Sequence, residues 1–302
     1  MKTKIYYNFS IFILLISIFI SACNKNIDLS NSDAQRKQDS ITKDSIAKID
    51  LSITATDEAQ ASSLSDAVVS TADTYVNALA DNGYSASTPM AVKGEVEVSG
   101  PIITVDKPDS LNFPKIITIN FGTTGYIDYR GDTLKGKVII TVSDKIWKTG
   151  ATKTIKLVDF YVNGNNVKGS KSIVNNGLNA AKNPSYTTTV SDTIIRVDKS
   201  TIIRNATRTR ERIDNGGTPR IFWDDKYSII GSTSGVNAKG VVYTVVITNP
   251  LIIYNNYSYI VKGTVTTSTE TRTAVLDYGD GTKDRKATLT INGVTKDIFL
   301  NH

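Results

Sequence analysis

The chain of 302 residues contains a single cysteine, Cys23, and a single histidine, His302, its last residue. Those two scarcities remove Ser-His-Asp and Cys-His catalysis and every metal site built on histidine or cysteine. An enzyme on this chain would have to work with carboxylates, lysine or tyrosine. A lone thiol also excludes an internal disulfide, so stability has to come from a buried core and sheet hydrogen bonds. No apolar run reaches the roughly 20 residues that a bilayer-spanning helix needs. Aromatic residues are missing from residues 24–55. The net charge of +6 is a mild basic bias and no nucleic-acid signature.

What is present begins at the N-terminus. Lys2 and Lys4 precede a short apolar run over residues 11–20, followed by Ile20-Ser21-Ala22-Cys23. That is a charged region, a hydrophobic region and a small-residue cleavage site. The last four residues resemble the lipobox of bacterial lipoproteins; Ile20 departs from it, since leucine is commoner there. The resemblance implies that residues 1–22 are a signal peptide and that the Cys23 thiol takes a diacylglycerol. The membrane then becomes a partner through acyl chains that contribute about 0.8 kcal/mol per buried CH₂. Loss of Lys2 and Lys4 with the signal lowers the net charge to +4. The plainer alternative is a general secretory signal with an incidental cysteine.

Residues 23–55 are rich in Ser, Asp, Lys and Asn, and read as a flexible polar tether, with a short helix conceivable at 45–51. An amphipathic helix follows over residues 57–81, within a 56–84 segment capped by Thr56 or Asp57. Leu64, Val68, Ala72, Tyr75 and Leu79 form one apolar stripe, expected to pack on the β-body, and Asn82-Gly83 supplies the stop. From residue 90 to 302, Val-, Ile-, Thr- and Tyr-rich runs alternate with turn residues. Asn163-Gly164 and Asn292-Gly293 mark tight hairpins. The expected fold is mainly β: antiparallel sheets, as a sandwich or a large curled meander, with one N-terminal helix. Residues 127–142 align without gaps to 276–291, sharing Asp128/Asp277, Tyr129/Tyr278, Thr133/Thr282, Lys137/Lys286 and Thr141/Thr290. Either two related halves, about 90–195 and 196–302, or chance similarity of two hairpins accounts for this.

The combination of lipobox, polar segment and β-rich body also resembles β-rich lipoproteins of the Bacteroidota to which no activity is attached. The phrases that carry the likeness are residues 113–122, FPKIITINFG, and 277–282, DYGDGT. The resemblance implies an outer-membrane address, with periplasmic or surface facing left open by the weakly acidic residues after Cys23.

Among the site candidates, Asp280, Thr282 and Asp284, with Asp277 nearby, loosely follow the alternate oxygen ligands of a calcium loop. Lys283, Arg285 and Lys286 crowd that turn and no distal glutamate follows, so a solvated hairpin turn is the preferred reading. Arg204, Arg208, Arg210 and Arg212 share one face of an extended strand. They could grip lipopolysaccharide phosphates, a sulfated glycan or an acidic protein; a solvated outer face is preferred, because Asp198 and Glu211 dilute the patch. Trp223, Tyr254, Tyr257 and Tyr259 could form a glycan or protein contact, or be ordinary packing, which is the preferred reading. Asp224-Asp225 cannot act as a pair on one strand unless a turn brings them together. No cofactor and no nucleic-acid partner is implied. The expected role is non-catalytic binding, adhesion or scaffolding at the outer membrane. Glycan capture beside a polysaccharide importer and a carboxylate-dependent hydrolase are the alternatives.

Overall fold

The computed structural model describes residues 29–84, 100–108, 112–217 and 224–300, with side chains from residue 35. Among the described residues, one helix, α1 (Leu29–Asp81), precedes fourteen strands. These are β1 (Ile102–Val105), β2 (Lys115–Asn120), β3 (Tyr126–Ile127), β4 (Thr133–Val142), β5 (Thr152–Val162), β6 (Asn165–Leu178) and β7 (Pro184–Ile195). There follow β8 (Thr201–Asp214), β9 (Lys226–Val236), β10 (Val242–Tyr254), β11 (Lys262–Ser268), β12 (Thr273–Asp280), β13 (Lys286–Ile291) and β14 (Val294–Phe299). All pair antiparallel in one sheet that is not closed. It runs in chain order from β1 to β14, with β3 beside β4 alone. The fold is therefore the mainly-β meander with one helix. The compact unit that holds the sheet runs from Asp44 to His302, and residues up to Lys43 form a separate unit. No helix among the described residues is long and apolar enough to cross a membrane.

The turn residues act as their chemistry demands. Asn163 and Gly164, both at positive φ, join Val162 to its partner Asn165, and Asn292 and Gly293 join Ile291 to Val294 in the same way. At the end of α1, Gly83 and Tyr84 have positive φ, and their N–H groups donate to Ala80 and Leu79, which satisfies carbonyls the helix would otherwise leave open.

Three expectations need correcting. The polar segment 23–55 is not a tether throughout, because α1 already begins at Leu29, and Leu51, Thr54 and Ala55 are buried. The helix does not bury a single stripe: from Leu51 to Ala80 only Thr56 is exposed. Small residues (Ala, Ser, Thr) let the sheet approach from every side, and Thr54 and Thr74 return their hydroxyls to the carbonyls of Asp50 and Ser70, so they enter the interior with that hydrogen bond made. Finally, the Val-, Ile-, Thr- and Tyr-rich run over residues 257–267, expected to be one strand, is strand only from Lys262, where β11 starts, so Tyr257 and Tyr259 precede it. Residues 94–98, the first of the runs expected to form strands, lie outside the described residues.

The sheet is one layer, but its inner apolar face has two clusters. One joins α1 from Ala61 to Ala80, and Tyr84 just past its end, with β2 to β8; the other joins Leu51, Ala55 and Ala59 with β9 to β14. The two aligned hairpins are not equivalent. Ile127 pairs with Thr133, whereas its counterpart Leu276 pairs with Leu289, the counterpart of Ile140. What they share is local: Asp128 accepts the N–H of Arg130, and Asp277 that of Gly279.

Candidate ligand cavity and the buried charged seam

Strand β8 separates the two apolar clusters, and its inward face carries Arg204, Arg208, Arg210 and Arg212. The face expected to meet solvent is the interior face. The physical reason is supplied by the helix, which brings Asp57, Glu58, Asp66 and Asp73 against the sheet. Arg204 donates to Glu58 from Nε at 3.3 Å and from Nη2 at 3.0 Å, and lies 3.7 Å from Asp192, its register partner on β7. Tyr243 donates to the same Glu58 carboxylate at 2.7 Å. A Cβ on Gly235 would sit 2.6 Å from the Tyr243 hydroxyl, so glycine there makes room for this bond. Lys171, fully buried, donates to Asp192 at 2.5 Å. Arg208 reaches Asp66 at 3.2 Å and Glu58 at 3.6 Å. Arg196 bonds Asp57 at 2.6 Å.

The electrostatics follow. Burial works against charge on Arg204, but Glu58 and Asp192 outweigh it and hold its proton more tightly than usual. Burial lowers Lys171 against the pull of Asp192. Burial, then the Glu58 charge, raises Tyr243.

Beyond Arg208 the seam changes. A cavity of about 610 Å³ opens at the C-terminal end of α1. Its walls are the last helical turns (Asp73, Asn77, Ala80, Asp81), the β4–β5 loop (Ile146, Trp147, Thr149), the β6–β7 hairpin, and Lys153, Tyr186, Arg212 and Tyr227. Trp147 stands on the rim, 60% exposed. Lys153 donates to Asp73. Arg212 lies 3.6 Å from Asp225, which accepts from the Tyr227 hydroxyl at 3.0 Å. Burial pushes the Asp225 carboxyl up to about 6, against the opposing pull of Arg212 and Tyr227.

Arg210 sits behind this wall. It is 3% exposed, its guanidinium lies 4.6 Å over the Tyr227 ring, and its Nη1 is 3.8 Å from Asp73. Its Nε, Nη1 and Nη2 make no hydrogen bond within the protein.

The other candidates lie elsewhere. Asp280 accepts the backbone N–H and hydroxyl of Thr282, which lowers its pKa, and Asp284 accepts the N–H of Lys286. These acids shape their turn, and no cluster among the described residues has three metal-ligating acids, histidines or cysteines. Tyr257 and Tyr259 meet edge-on at 5.7 Å, half-buried. Lys283 lies over Tyr254 at 4.2 Å and Arg285 over Tyr259 at 5.7 Å, so the protein's own cations occupy those ring faces. Cys23, Trp223 and His302 lie outside the described residues.

Sequence reasoning missed the cavity and Asp73, Lys153, Tyr186 and Tyr227 around it. One signal pointed there: between Lys48 and Lys93 the chain has six acids and no base, a helix whose charge needs a basic partner. No family model matches the sequence, and neither does any curated protein or solved structure.

Proposed function

We propose that this is a non-catalytic binding protein of a diderm bacterial envelope, lipid-anchored at the outer membrane through Cys23, which receives a small ligand in the cavity at the end of α1. The observation that carries the binding role is the cavity itself. Its volume lies within the roughly 300–1,000 Å³ of small-molecule sites, and it combines apolar walls with a few convergent polar groups. Lys153 and Arg212 are already matched to Asp73 and Asp225, which suits holding a ligand better than activating one. Glycan capture at Tyr254, Tyr257 and Tyr259 has less support, because Lys283 and Arg285 lie over the rings.

Binding is tested with 2-(2-naphthyl)ethanol and its acetate and ammonium analogues, followed by tryptophan emission. Saturable quenching by at least one, abolished by Thr149→Phe with the melting transition kept, is expected. No saturable binding by any of the three would sink the reading. The anchor is tested by labelling cells with alkynyl palmitate: label on the wild type and none on Cys23→Ala is expected, and equal labelling would remove it.

A further inference from the structure

We infer that the cavity selects an uncharged, flat ring compound with an amide edge, an N–H beside a C=O, and that the carboxamide of Asn77 receives that edge. This rests on the cavity being a binding site, as proposed above.

The charged groups of the wall answer one another. Lys153 donates to Asp73, Arg212 lies beside Asp225, and Asp81 stands exposed at the rim. A charged ligand would therefore enter a buried site whose counter-charges are already engaged, which is costly. The two asparagines of the wall differ. Asn175 is used at both ends: its Nδ2 donates to the Ile146 carbonyl at 2.8 Å, and its Oδ1 accepts the Gly177 N–H at 2.7 Å. Asn77 lies one helical turn from both Asp73 and Asp81, on the face of α1 that lines the cavity. It is 6% exposed, and its carboxamide makes no hydrogen bond with any group of the protein. Neither its Oδ1 nor its Nδ2 is sealed among neighbours, so the little surface it keeps is cavity wall. A buried amide without a partner is costly to keep. One planar edge of a carboxamide sets a C=O acceptor beside an N–H donor. Another amide edge answers both at once, with two parallel hydrogen bonds and no charge to bury. The Tyr186 hydroxyl, also in the wall and also without a hydrogen bond, offers a further contact. The rings of Tyr186 and Trp147 give the flat apolar surface on which a ring can lie. A sugar's neighbouring hydroxyls also pair a donor with an acceptor, and so form one arm of the test.

The probes are 2-quinolinone, its N-methyl derivative, quinoline-2-carboxylate and phenyl β-glucoside, titrated calorimetrically against the full folded chain. 2-Quinolinone is expected to bind about tenfold or more tightly than the N-methyl compound, which keeps the ring and loses the N–H, and than the other two. Asn77→Leu should erase the preference over the N-methyl compound while leaving that compound's own affinity within about twofold. Equal binding of 2-quinolinone and its N-methyl derivative leaves the cavity reading standing and overturns the amide. Tightest binding of the carboxylate overturns it in favour of Lys153 and Arg212, and tightest binding of the glucoside in favour of a sugar. No binding by these four while a naphthyl probe still saturates overturns the amide alone; no binding by either set overturns both readings. An unchanged preference in Asn77→Leu removes Asn77 from the site. Should that variant not fold, Asn77→Ala decides by the same ratio of the two quinolinones, which a merely structural role for Asn77 would not move.

Discussion

Arg204 and Arg210 lie six residues apart on the same inward face of β8 and are equally withdrawn from water, at 1% and 3% exposure. Around Arg204 the helix and sheet supply Glu58, Asp192, Tyr243 and Lys171; its Nε and Nη2 are hydrogen-bonded to Glu58, and only Nη1 makes no hydrogen bond within the protein. Around Arg210 they supply a shared carboxylate at 3.8 Å and an aromatic ring. One end of the seam holds the helix to the sheet; the other tolerates an incompletely satisfied cation beside an open cavity. A buried charge whose bonds are mostly made is costly to break, and one that is poorly matched costs stability while it remains. Where a fold keeps the second kind, a requirement outside stability is the natural explanation.

The largest effect is expected at Arg204. Arg204→Met should destabilise the protein by about 3–5 kcal/mol in urea denaturation, because Glu58 loses its cation in the interior. Adding Glu58→Gln should recover a good part of that loss. A single substitution costing under about 1 kcal/mol would erase the contrast between the two ends.

Asp225 sharpens the comparison through pH. Its folded pKa, at about 6, lies above the ordinary carboxylate value, so the native state binds the extra proton. Its contribution is therefore most favourable in acid and is lost as pH rises from about 4 through about 6. Asp225→Asn should melt at a higher temperature than wild type at pH 8, with the difference shrinking towards zero near pH 4. A difference that grows in acid would reverse that sign.

The smallest effect is expected at Arg210 itself. Arg210→Met should stay within about 1 kcal/mol of wild type or exceed it, since no hydrogen bond is lost. A loss like that at Arg204 would make the two ends alike.

Much of the fold was legible because local chemistry decides it. Asn-Gly at 163–164 and 292–293 tolerates the positive φ of its hairpins, Asn82-Gly83 ends the helix, and Val/Ile/Thr alternation marks the buried face of strands such as β2. The seam was not legible because its two halves are far apart in sequence: Glu58 and Arg204 are separated by 146 residues. Read alone, a row of arginines belongs in water. Only the helix, acidic where β8 is basic, reverses that preference. The repeated motif misled for the opposite reason. Asp128 and Asp277 make the same short-range bond, but the strands that follow pair in different registers, and register is a long-range property.

The burial of α1 from Leu51 to Ala80 constrains the order in which the chain can mature. Its partners are spread along the whole sequence: Thr74 touches Tyr129, Glu58 meets Tyr243, Asp44 pairs with Arg272, and Ser52 accepts from Lys296. The helix emerges from the ribosome first, yet it meets its last partner only when β14 is released. A chain shortened by its final two hairpin strands leaves the Leu51–Ala59 stretch of the helix uncovered on that side. Covering this stretch of the helix therefore waits on residues more than two hundred positions later in the chain, and such long-range contacts carry a large loop-closure cost.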